Sequence, residues 1–171
     1  VVTYADYEEW ENKQPEDKLR TMGRKQLIPY GLYEGRGFIS ANLAGDTNFN
    51  DEDLSLFFRA LLNMYEHDRS ASKGQMSTVI PVIIFKHVGT DSDVKQRERQ
   101  AKLGCAPAHK LFELVSIRKK DDIEVPRSYK DYTITLNISA LPNGVEIGFG
   151  LPDGSISWGD LPSEANWVQL K

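Results

Sequence analysis

A single cysteine, Cys105, leaves this 171-residue chain without a partner for an intramolecular disulfide, which excludes a small disulfide-stapled secreted fold. No apolar run reaches the roughly 18 residues that a membrane-spanning helix needs, and no charged-then-apolar leader opens the sequence. The expectation is a cytoplasmic, reducing setting with no membrane partner. Histidine is scarce too. His67, His87 and His109 are the 3 present, and none falls in a His-Glu-x-x-His pattern or beside a cysteine at ligand spacing, so no metal is expected. Gly31, Gly35 and Gly37 do not match a dinucleotide fingerprint, and no Gly-Lys-Ser/Thr follows a strand, so no nucleotide cofactor is expected either. Val1 is not an initiator methionine, which suggests a chain processed or cut from something longer.

What is present suffices for one folded domain, or one plus a subdomain: 40% of the residues are hydrophobic, which excludes a disordered chain. The formal net charge of -4 hides a sharp division. Residues 1–19 hold 6 acids and 2 lysines, residues 95–130 hold 10 bases and 5 acids, and residues 131–171 hold 5 acids and 1 lysine. The basic block runs Lys95, Arg97, Arg99, Lys102, Lys110, Arg118, Lys119, Lys120, Arg127, Lys130, with His109 among them. A smaller cluster, Arg20, Arg24 and Lys25, follows the acidic start. Either group could meet phosphate, and either could be ordinary solvated surface.

Pattern along the chain predicts an α+β fold with one helix on an antiparallel sheet. Residues 1–19 mix Tyr4, Tyr7 and Trp10 with acids and Pro15, and read as an irregular or weakly strand-like arm. Aromatic and β-branched residues from Pro29 to Ser40, interrupted by Gly35 and Gly37, read as a strand with a bulge. Asn50 caps a predicted helix whose first turn is Asp51, Glu52 and Asp53, with Leu54, Phe57, Phe58, Leu61, Leu62 and Tyr65 on one face. Val79 to Val88 reads as a central strand, residues 89–109 as a long loop with a helical turn at 94–103, and Leu111–Ile117 and Tyr132–Ile138 as strands. Val145–Phe149 could add another before a tail containing Gly, Pro and Trp. The resulting division is an acidic aromatic arm (1–19), a central unit (20–144) and an acidic tail (145–171).

Catalytic constellations are weak. His67 and Asp68 are neighbours at a helix end, so their side chains diverge by about 100°, and a solvated cap competes with an acid/base role. Cys105, between Lys102 and His109, could be an activated thiol, but a lone loop cysteine is more often incidental. Asp51, Glu52 and Asp53 are accounted for by the helix start.

Four strings together resemble one family: Arg20-Thr21-Met22-Gly23-Arg24-Lys25; Pro29-Tyr30-Gly31-Leu32-Tyr33 with Gly37-Phe38; Ala60 to Ala71, including Asn63-Met64-Tyr65-Glu66-His67-Asp68-Arg69-Ser70; and Lys102-Leu103-Gly104 with Ala106-Pro107-Ala108-His109-Lys110-Leu111-Phe112. Residues 20–136 are similar to the C-terminal part of the backbone subunit of the type I-C CRISPR surveillance complex (Cascade), the Cas-seven family of the RAMP superfamily. The resemblance implies an RNA-recognition-like (ferredoxin-like) antiparallel sheet with a packed helix and long loop insertions, incomplete at its N-terminal side. It implies no catalysis. It also implies a subunit that polymerises along the CRISPR guide RNA, meets further copies of itself and other Cascade subunits, and meets target DNA through the guide.

A protein that must hold any guide should grip phosphates, riboses and base faces rather than base edges. On that footing the candidate RNA-binding residues fall into groups. Arg20, Arg24 and Lys25 flank Met22 and Gly23, where the cations and backbone N–H groups can grip phosphate while methionine packs on a base. His67, Arg69 and Lys73 follow the helix end, where they could equally complement the helix dipole. Lys102, Gly104, His109 and Lys110 enclose a loop of small residues. Arg36 is the remaining one: family members often have Arg-Ala-His where this chain has Glu34-Gly35-Arg36, which moves the positive charge two residues on. Cys105 stands where asparagine is commoner. Two other classes compete: a protein-interaction or assembly module using the Tyr/Trp-rich acidic arm and tail, without direct nucleic-acid contact, and an RNA-processing ribonuclease with His67 or His109 as acid/base.

Overall fold

The computed structural model describes residues 12–13, 28–69, 74–79, 82–163 and 168–171. Most of the acidic arm, the cluster from Arg20 to Lys25, and Lys73 therefore lie outside the described residues; Asn12 and Lys13, within the arm, are helical and exposed.

The chain is α+β. Helix α1 spans Ala41–Thr47 and α2 spans Asp51–Asn63. The start of α2 is the one expected. The Asn50 side chain accepts from the backbone N–H groups of Glu52 and Asp53 at 2.8 and 3.2 Å, and the Asp53 carboxylate accepts from the Asn50 N–H at 3.0 Å. This reciprocal cap satisfies N–H groups that the first turn leaves without intrahelical partners, and its side chains contribute about 1 kcal/mol. Phe58 and Leu62 of its apolar face are buried, whereas Leu56 and Phe57 stay about half exposed.

Strand β1 (Val82–His87) follows, then helix α3 (Val94–Leu103), the short helix α4 (Ala108–Phe112) and strands β2 (Val115–Lys119), β3 (Tyr132–Leu136), β4 (Val145–Gly150), β5 (Ile156–Trp158) and β6 (Val168–Leu170). They form two sheets of three, in the orders β1-β4-β5 and β2-β3-β6. All pairings are antiparallel except β3 with β6. This arrangement is consistent with a ferredoxin-like α+β fold. Register puts Ile83 opposite Phe149 and Phe85 opposite Ile147, and, in the other sheet, Val115 opposite Leu136 and Ile117 opposite Ile134. These inward faces, with Leu111, Leu114 and Val168, make one core, in which Phe149 and Leu136 are fully buried.

Three expectations need correction. Among the described residues, strand β1 lies at the edge of its sheet, and β4 is central. The signal of β4 is diluted by Gly148 and Gly150, yet Gly148 is required because a Cβ there would lie 2.7 Å from the Trp158 ring. Leu111 to Ile117 is not one strand: Leu111 and Leu114 are spaced three apart and reach the core from α4 and the turn after it, before β2 begins at Val115. Residues 30–40 run without a ladder partner among the described residues. They are held by side chains instead, with Tyr30 against Tyr132 (ring centroids 6.3 Å apart) and Phe38 edge-on to Phe112 at 5.5 Å. Burial, then the neighbouring Tyr132, pushes the Tyr30 phenol up. Residues 145–171, marked off by charge as a tail, carry β4, β5 and β6. No helix among the described residues is long and apolar enough to cross a membrane.

Candidate nucleic-acid interface

Residues 89–109, expected as a long loop with a helical turn at 94–103, instead carry the 10-residue helix α3, which buries none of its residues and is tied to the preceding loop by polar contacts. Asp93 caps it by accepting from the Gln96 N–H at 3.0 Å, and the Asp91 carboxylate accepts from the Asp93 N–H at 2.9 Å. The Gln100 side chain points back to the preceding loop, accepting from the Thr90 and Asp91 N–H groups at 2.8 and 3.1 Å. Gly89, at φ +77°, brings the loop so close that a Cβ would lie 2.5 Å from the Arg97 carbonyl oxygen. Gln100 and Arg97 thus mark the face seated on the body. At about 100° per residue, Lys95, Arg99 and Lys102 fall together on the other side.

Gly104 ends the helix at φ +90°, its N–H donating to the Gln100 carbonyl at 3.0 Å. The next N–H, that of Cys105, donates to Nδ1 of His87 at 3.0 Å. His87 sits at the end of β1, so it ties the small-residue loop to the sheet. Pro107 then starts α4, which carries His109 and Lys110, both exposed. Lys110 pairs with Glu113 at 3.1 Å across the surface, an exposed i,i+3 contact worth a few tenths of a kcal/mol at most.

Arg36 reaches the same corner from residues 30–40. Its guanidinium lies over the Phe112 ring, 5.0 Å from the centroid, and its Nε donates to Glu34 at 2.6 Å. That hydrogen bond holds the Arg36 guanidinium above its already high usual range. The structure therefore brings Arg36, Lys102, Gly104, His109 and Lys110 to one corner made by α3, the 104–107 loop and α4. Glu34 and Glu113 each engage a cation there, so a phosphate at Arg36 or Lys110 would compete with a carboxylate.

His67 and Arg69 are placed elsewhere, in the exposed turn after α2. That helix leans on the β4–β5 turn, where the Ser55 hydroxyl donates to the Gly154 carbonyl at 3.1 Å. Arg20, Met22, Gly23, Arg24, Lys25 and Lys73 lie outside the described residues.

Folding also divides the basic block. Arg118, Lys119, Lys120, Arg127 and Lys130 gather around the β2–β3 hairpin rather than α3. That loop is internally tied. Lys119 donates to the Glu124 carbonyl at 3.0 Å, and the Asp131 carboxylate accepts from the Arg127 and Ser128 N–H groups at 2.6 and 2.9 Å. These two backbone bonds, Arg127 first, hold the Asp131 carboxyl below the usual carboxylate range. The residue-level RNA-binding set left out Lys95 and Arg99, which the sequence marked only as part of the basic block, and it left out His87. The signal for the first two was their spacing with Lys102, seven positions from one end to the other, on a helix bracketed by Asp93 and Gly104. Nothing local marked His87, whose partner is 18 positions away.

A protein-family model described as CRISPR-associated protein Cas7 matches residues 2–137. No curated protein matches the chain.

Proposed function

We propose that this chain, which belongs to the CRISPR-associated Cas7 family, is a non-catalytic backbone subunit that binds the guide RNA of a type I-C surveillance complex. It polymerises along the guide with further copies of itself, contacts other Cascade subunits and supports pairing of the guide with target DNA, in the cytoplasm. The observation that carries the reading is the exposed basic corner of α3, the 104–107 loop and α4, built within the family-matched residues. Its cations face solvent, as a sequence-independent grip on phosphates requires.

Lys102, Gly104, His109 and Lys110 approach the phosphates there, with Arg36 beside them on Phe112. His67 and Arg69 form a separate contact after α2. Arg20, Met22, Gly23, Arg24, Lys25 and Lys73 complete the set in this proposal. The apolar side chains exposed along residues 33–43, among them Tyr33, Phe38 and Leu43, favour a protein contact beside the RNA, as expected where copies meet.

The test is the retention of RNA by assembled complex carrying Arg20→Glu and Arg24→Glu, or Lys102→Glu and His109→Glu. Reduced retention is expected from each pair. Unchanged retention removes that pair from the interface, and RNA that is cut rather than held would move the reading to a ribonuclease.

A further inference from the structure

We propose that the cleft between α1 and α3 is a subsite for the phosphodiester backbone of a single nucleic-acid strand, held by Lys95, Arg99 and Lys102. It deepens the RNA-binding reading above and rests on it, but it places the strand on a helix face that the motif residues alone do not mark.

The cleft is open, about 350 Å³ in volume, and lined by Asn42 of α1 with Lys95, Glu98, Arg99, Lys102 and Leu103 of α3. Three cations against one carboxylate leave it strongly positive. Helix α3 buries none of its residues, and its seat on the body is made by Gln100 and the Arg97 backbone. The cationic face therefore contributes nothing to the core. Within α3 itself, Lys95 and Arg99 at i,i+4 and Arg99 and Lys102 at i,i+3 are like charges on adjacent turns, which repel. Among the described residues none of the three is tied into an ion pair or a side-chain hydrogen bond, Glu98 notwithstanding. An anion from outside relieves that repulsion.

The shape of the row defines the anion. Seven residues at 1.5 Å each spread the cations over about 10 Å, too far for one phosphate and suited to successive phosphates of a strand lying along the helix. Leu103, 77% exposed at the end of the row, offers an apolar surface to a sugar or base face, and the Asn42 amide lies across the cleft. Lysine and arginine donate to phosphate oxygens, which RNA and DNA strands share whatever the sugar. The row therefore takes RNA and DNA strands alike.

The experiment measures binding of fluorescently labelled oligouridylate and oligothymidylate to the full chain across a salt series, for the unaltered protein and for Lys95→Gln/Arg99→Gln/Lys102→Gln. Glutamine keeps helix propensity, and thermal melting verifies the fold. With about 0.7 of salt slope per phosphate contact to a single strand, the triple variant loses about 2 in slope and binds both strands about a hundredfold more weakly at ~0.1 M salt. Arg99→Gln alone, at the centre of the row, loses about 0.7 in slope and serves should the triple variant fold poorly. Equal affinity and slope in variant and unaltered protein would overturn the subsite while leaving the RNA-binding reading intact. A loss confined to one of the two strands would overturn it as a phosphate reader. Unchanged oligonucleotide binding with lost self-association would reassign the cleft to an acidic protein surface. Absence of binding by the unaltered chain would overturn both readings together.

Discussion

Single residues show how much of this fold rests on close approach and on backbone hydrogen bonds. The Trp158 ring occupies the space where a side chain at Gly148 would begin, with Lys86 5.1 Å from the ring centroid. Gly148→Ala forces the ring or the central strand to move and should cost about 1–3 kcal/mol, read as a fall in denaturation midpoint with unchanged slope; an unaltered midpoint would show that the ring swings away freely. Asp131 makes a pH-dependent contribution. Its folded carboxyl lies below the usual range because the Arg127 and Ser128 N–H groups bind its charged form. The stabilisation is therefore full above the unfolded value of about 3.9 and is lost as pH falls through the folded value. Asp131→Asn should speed amide exchange at Arg127 and Ser128 near neutral pH, and the difference from the unaltered chain should vanish in acid. A difference that persists in acid would place the hairpin's order elsewhere.

At the scale of elements, legibility followed the kind of force involved. The start of α2 was readable because Asn50 and Asp53 act on their own helix, and α3 because Asp93 and Gly104 bracket it. Edge and centre were not readable: whether β1 or β4 gains a second neighbour depends on β5 and its Trp158, long-range facts that a β-branched run cannot carry. Residues 30–40 had strand composition but found rings, Tyr132 and Phe112, instead of a ladder. The same distinction governs the candidate site, whose charges were visible in sequence while their division between α3 and the β2–β3 hairpin was not. The seating of α3 can be tested at Gly89, where positive φ and a 2.5 Å approach to the Arg97 carbonyl coincide. Gly89→Ala should destabilise by about 2 kcal/mol or more and weaken RNA binding by shifting the cationic row. Full RNA affinity in a folded Gly89→Ala protein would mean that the row does not depend on this seat.

For the whole molecule, a net charge of -4 and a polyanionic partner are compatible because the charge is segregated. The acids concentrate in residues 1–19 and 131–171, and the bases in 95–130, where folding sets them on α3, the adjoining corner and the hairpin. Under the proposed function, copies aligned along a guide would set acidic against basic surface, so that assembly and RNA binding would draw on the same asymmetry. The family resemblance was legible from short strings, all of which lie within the residues 2–137 that the family model matches. The central claim, that this chain grips RNA through several phosphates, is tested most directly by isolating the full-length protein with its co-purifying nucleic acid and measuring RNA retention against salt concentration. The account predicts bound RNA whose affinity falls steeply and linearly on logarithmic axes, by about 0.7 in slope for each phosphate engaged. Protein that carries no RNA, or holds it with no dependence on salt, would contradict it.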